Sequence, residues 1–110
     1  MMYIDFQAGA NEYKLRLSTR AIVALEKTLG CNPLLIFGSG DRIPTVTEMV
    51  SILHASLQQY HHGITVEAAY GIFDAYLEDG HAVTDFIAVI VDIYKHSGLI
   101  REQEGAEEKN

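Results

Sequence analysis

Cysteine is almost missing from this chain. Cys31 stands alone, so no disulfide framework can form within one molecule, and a reducing cytoplasm is the natural setting. A secretory leader is not expected either, because Met1-Met2-Tyr3-Ile4-Asp5-Phe6 carries an early aspartate and no basic stretch ahead of an apolar run. The longest apolar stretch, Phe86 to Val91, falls far short of the about 20 residues that cross a bilayer, so no membrane partner is expected. Lysine and arginine are scarce, 8 against 15 aspartates and glutamates, and nowhere clustered. A protein that neutralises phosphates needs such clusters, so nucleic acid is not expected as a partner. The segment with the proportions of a recognition helix, Val46 to Tyr60, contains no lysine or arginine and would present Glu48, Gln58 and Gln59 to the backbone.

Catalytic and metal-binding patterns are equally thin. His61 and His62 are adjacent, so on a regular helix their side chains diverge by about 100°. His54 and His61 lie seven apart, with no carboxylate or cysteine at the spacing that would complete a site from His54. Neither HExxH nor any paired-cysteine spacing occurs. Cys31, beside Asn32-Pro33, has no local base to favour a thiolate, and an inert cysteine is the simpler reading. Gly38 and Gly40 flank Ser39 after an apolar run, but no Lys-Ser or Lys-Thr follows and a third glycine is missing, so both phosphate-loop patterns fail. Glu78-Asp79 sits at a helix end and reads as a solvated face. These absences predict a protein that is not an enzyme, with no cofactor, no metal and no catalytic residue.

What the chain does have is acidity combined with grease. Its net charge is −7, yet 48% of its residues are hydrophobic, which is high for a domain of 110 residues. One core suits that length. The charge keeps such a chain dissolved while part of its apolar surface serves a partner.

The patterning predicts an α+β fold in residues 1–98, an N-terminal β-hairpin packed on about four helices. Over 2–18, Met2, Ile4 and Phe6 alternate with Tyr3, Asp5 and Gln7, Ala8-Gly9-Ala10-Asn11 turns the chain, and Tyr13, Leu15 and Leu17 alternate with Lys14 and Arg16. Lys14 and Arg16 are placed to pair with Asp5 across the strands. A first helix over 19–29 is capped by Ser18 or Thr19 and stopped by Gly30, with Ile22, Leu25 and Leu29 as its stripe. Leu34-Leu35-Ile36-Phe37 forms a brief apolar turn ended by Gly38-Ser39-Gly40-Asp41. A second helix over 46–61 opens with the capping box Thr45-Val46-Thr47-Glu48. A third, over 66–79, is capped by Thr65 and carries Val66, Ala69, Tyr70, Phe73 and Leu77. The fourth, over 82–97, is apolar nearly all round, since Ala88, Val89, Val91 and Ile93 join the stripe of Val83, Phe86, Ile87, Ile90 and Tyr94. Such a helix is either buried on most sides or meets a partner, and Phe86, Val89, Ile90, Ile93 and Tyr94 are the candidate partner-binding residues. From 99 to 110 an acidic segment without periodicity reads as a mobile tail.

The order of these elements carries a family likeness. Gly9-Ala10-Asn11-Glu12-Tyr13-Lys14-Leu15-Arg16-Leu17-Ser18 runs straight into Ala21-Ile22-Val23-Ala24-Leu25-Glu26-Lys27-Thr28-Leu29-Gly30-Cys31-Asn32-Pro33-Leu34, and Pro44-Thr45 opens the next helix. This resembles the tail assembly chaperones of siphophages and prophages of Gram-positive bacteria and related gene-transfer-agent proteins, in which a Tyr-x-Leu-x-Leu-like strand leads to a helix ending Leu-Glu-Lys-x-Leu-Gly. The resemblance implies a protein of the host cytoplasm, absent from the mature virion, that binds the tape measure protein and helps tail tube protein polymerise around it. A homo-oligomer is compatible with it. It also implies ribosomal frameshifting, because Glu108-Lys109-Asn110 is compatible with a slippery adenine run that would append a longer product. A structural virion component, such as a head-tail connector or tail completion protein, is the alternative.

Overall fold

The computed structural model describes residues 2–38 and 42–101. Ser39, Gly40 and Asp41 of the predicted loop, and the predicted tail from 102 onward, lie outside the described residues.

Strand β1 (Ile4–Ala8) pairs antiparallel with β2 (Asn11–Leu15), Ile4 opposite Leu15 and Ala8 opposite Asn11. Gly9 and Ala10 are therefore the whole turn. Gly9 has φ 63° while Ala10 does not leave negative φ, the pattern of a II′ turn, which matches the right-handed twist of the flanking strands. The period of two turns Phe6, Ala8, Leu15 and Leu17 inward, and all four are buried. Lys14 does stand opposite Asp5, but its ammonium lies 5.3 Å from the centre of the Tyr3 ring, and the expected ion pair is not among those formed. An exposed pair is worth so little that an aromatic face competes with it.

Helix α1 (Thr19–Leu29) starts where the Ser18 hydroxyl accepts the Ala21 amide, and it ends at Gly30, φ 74°, whose N–H returns to the Glu26 carbonyl. Pro33–Phe37 forms a 3-10 turn capped by the Asn32 side chain. Helix α2 (Val46–Leu57) carries the full capping box: the Glu48 amide donates to Thr45 Oγ1 at 3.1 Å, and the Thr45 amide to Glu48 Oε1 at 2.9 Å. It ends four residues before the predicted 61. The Gln58 amide group explains this, donating to the carbonyls of His54 and Ile64 and accepting the Gly63 amide, so it organises a turn instead of a further helical one.

Helix α3 (Val66–Glu78), capped by Thr65, faces inward along Ala69, Ile72, Phe73 and Tyr76. Val66 and Tyr70 of the predicted stripe point outward instead, so the helix is rotated from its expected setting. The predicted fourth helix divides. A 3-10 turn at Val83–Asp85, closed by the Asp85 carboxylate on the Ala82 amide, precedes α4 (Phe86–Ser97). Gly98, φ 87°, ends α4 in a Schellman motif, with the Leu99 amide on the Tyr94 carbonyl. Leu99 and Ile100, expected in the tail, pack against the core.

The centre of the molecule is α2. From Met49 to Leu57 only Ser51 and His54 are not buried, and α1, α3, α4 and β2 all contact this helix. The hairpin is held from outside by polar groups. The Arg16 amide donates to the Ser56 carbonyl, the Leu17 amide to Ser97 Oγ at 2.9 Å, and the Gly9 amide to the Asp79 carboxylate at 2.8 Å. The architecture is α+β, as the patterning predicts.

Candidate functional site

Four of the five residues expected to meet a partner are interior. Phe86, Ile90, Ile93 and Tyr94 are each at most 1% exposed, and Val89 is half-buried. The Phe86 ring lies 5.2 Å from that of Phe73 and 5.8 Å from that of Phe6, in edge-to-face contacts. Tyr94 donates its hydroxyl proton to the Pro33 carbonyl at 2.9 Å, and burial pushes its phenol far above the usual range. These four take their places in the core of this chain, while Ile87, Val89 and Val91 stay half-buried.

Apolar surface remains elsewhere. Leu35 is 61% exposed and Ile43 58%, on either side of the loop leading to α2. Beside Ile43, Arg42 links the 3-10 turn to α2: its guanidinium donates to the Ile36 carbonyl and, at 2.8 Å, to Glu48 Oε2. The same contact holds the Glu48 carboxyl below its usual range, reinforced by the Thr45 amide and opposed by partial burial. On the far side of the molecule Val66 and Tyr70, one helical turn apart on α3, are 43% and 41% exposed.

Val66 also closes one end of a groove of about 680 Å³ between α1 and α2. Ala21, Ala24 and Leu25 form one wall, and Ser51, His54 and Ala55 the other. The helical repeat creates it: residues three and four apart share a face, and here those residues are short, so the two helices leave a trough where larger side chains would meet. The hydroxyls of its walls are already engaged. Ser18 accepts the Ala21 amide, Thr28 donates to the Ala24 carbonyl, and Ser51 donates to the Thr47 carbonyl. A shallower depression continues across α1 through Arg20 and Ala24 to Val23.

The histidines are dispersed. His54 and His62 line the groove. His61 turns away, its Nε2 accepting the Lys14 amide at 2.9 Å beside the Tyr13 ring. Partial burial, with a smaller effect of the Lys14 charge, lowers its pKa. Among the described residues no three His, Cys, Asp or Glu side chains gather as a metal site would require, and no helix is long and apolar enough to cross a membrane. Cys31 is a free, half-buried thiol.

A family model described as "Family of unknown function (DUF6096)" matches residues 4–110. The chain belongs to that family. No curated protein and no solved structure matches it. In this DUF6096 chain the groove is thus read from its own geometry: apolar contact is available there, and Arg20, His54, Gln59 and His62 supply the polar side chains not already engaged within the chain.

The groove carries little signal in the sequence. Its floor is alanine, serine and threonine, which hydropathy patterning passes over. The spacing of Ala21, Ala24 and Thr28 against Ser51 and Ala55 is the signal that could have revealed it.

Proposed function

We propose that this protein is a phage tail assembly chaperone: a binding protein, not an enzyme, that covers apolar segments of the tape measure protein while tail tube protein assembles around it in the host cytoplasm. The observation that carries this reading is apolar surface left over outside a finished core. The core is complete with α4 inside it, and Leu35, Ile43, Val66, Tyr70 and the groove between α1 and α2 still face outward. A long apolar chain needs such surface to shield it, and the net charge of −7 keeps the resulting complex dissolved. The Tyr13-to-Gly30 stretch, with its likeness to the tail chaperones, supports the same role.

Co-expression tests it. The tape measure protein encoded beside this gene should be insoluble alone and soluble with this chain, and equal solubility in both cases defeats the proposal. Mass spectrometry of purified particles should find tube protein but not this chain. Its presence there would favour a connector or tail completion protein instead. The frameshifted product is part of the same proposal, and a gene with no slippery run and no overlapping frame removes it.

A further inference from the structure

The groove between α1 and α2 differs in charge from the molecule around it. Fifteen carboxylates outnumber 8 lysines and arginines in the chain, yet among the described residues the groove is lined by Arg20, His54 and His62 and by no aspartate or glutamate. We propose that it receives an amphipathic α-helix of the partner chain, laid with its apolar stripe on Ala21, Ala24 and Ala55 and its flanking carboxylates toward Arg20, His54 and His62. The proposal deepens the chaperone reading and rests on it for the partner's identity.

Three features select this occupant. Alanines on both walls let a third helix approach closely, as helix-in-groove recognition requires. The hydroxyls of Ser18, Thr28 and Ser51 and the Gln58 amide are engaged within the chain, which leaves Arg20, His54, Gln59 and His62 as the polar side chains of the lining, a set that suits the carboxylates of a partner. Beside Val66, which lines the groove, Tyr70 continues the exposed apolar surface one helical turn along α3 for a longer helix.

The test uses the full chain and a fluorescein-labelled synthetic peptide of roughly 18 residues, long enough to hold a helix, with leucines at i, i+3, i+4 and i+7 and glutamates on both flanks. A control peptide carries lysines in place of the glutamates. Fluorescence anisotropy should show the acidic peptide binding at least about tenfold more tightly than the basic one at low salt, since complementary charge discriminates between partners. Arg20 and Ala24 are exposed, so changing them leaves the core untouched. Arg20→Glu should reverse the preference between the two peptides. Ala24→Glu should weaken the acidic peptide about tenfold or more, with circular dichroism and unfolding midpoint unchanged. Equal affinity for both peptides, or an affinity indifferent to Ala24→Glu, overturns the proposal. So does a dimer in sedimentation that Ala24→Glu converts to monomer while neither peptide binds, because a second copy then fills the groove. Since the peptides are synthetic, a tape measure protein that is soluble without this chain sinks the chaperone reading and leaves the groove result standing. Failure of the peptides with successful solubilisation does the reverse.

Discussion

Helices α1 and α2 are neighbours of almost equal length, 11 and 12 residues, and they lead opposite lives. In α1 Leu25 alone is buried, and Arg20, Glu26 and Lys27 face water. In α2 Glu48 is the only residue among Asp, Glu, Lys and Arg, and seven of the twelve residues are buried. The difference separates two tasks. One helix is the mast against which α1, α3, α4 and β2 pack, and its buried residues are answerable to stability. The other is attached along a single stripe, which leaves its remaining faces available to a partner.

The sharpest way to break this contrast is Leu53→Ala in the middle of α2, where the side chain is fully buried. Removing it should cost about 2–5 kcal/mol, lost transfer energy plus the cavity, read as a lower urea midpoint at unchanged slope. A loss under about 1 kcal/mol would mean that α2 is not the central support.

Next comes Thr45→Ala at the cap of the same helix. It removes the acceptor for the Glu48 amide and should destabilise by about 1 kcal/mol. The same loss appearing on Ser18→Ala would show that the caps of α1 and α2 matter alike even though the helices do not.

A smaller effect follows pH at the turn after α2. The Lys14 amide can donate to His61 Nε2 only while that nitrogen is unprotonated. Folding lowers the His61 pKa below its ordinary 6.5, chiefly by burial and then by the Lys14 charge, so the unfolded chain binds the proton more readily. Stability should therefore be complete above 6.5 and decline as the pH falls through the lower folded value. Denaturation midpoints across that window should show the decline, and His61→Ala should flatten this contribution to it.

Smallest of all is Val23→Ser on the outer face of α1, exposed beside the shallow depression. It should change the unfolding midpoint by no more than about 0.5 kcal/mol, as surface substitutions do. A larger loss would show that α1 is more deeply committed to the fold than its burial indicates.

Much of the architecture was legible because local chemistry decides it. Thr45 and Glu48 announce a helix start by reciprocal hydrogen bonds within four residues, and Gly9 and Gly30 mark reversals that few side chains tolerate. What pattern cannot supply is which neighbour covers an apolar face. Helix α4 reads as apolar all round whether its cover comes from this chain or another, and Phe6, Phe73 and Tyr76, which cover Phe86, are distant in sequence. The rotation of α3 fails for a related reason. Val66 and Ile72 are both apolar and pattern does not choose between them, yet Ile72 is buried and Val66 is 43% exposed. The groove was hidden because a hollow is made by what is small.

The hydroxyl of Ser97 reaches the amide of Leu17 across 80 positions of chain, and the Asp79 carboxylate reaches Gly9 across 70. The hairpin leaves the ribosome before α3 and α4, on which the clasps that hold it depend. During synthesis β1 waits for Tyr76 and Phe86 to emerge before Phe6 has anything to lie against, and a two-stranded ribbon alone is barely stable in water. A nascent chain stalled before α4 therefore exposes the greasy underside of the hairpin that the finished protein conceals.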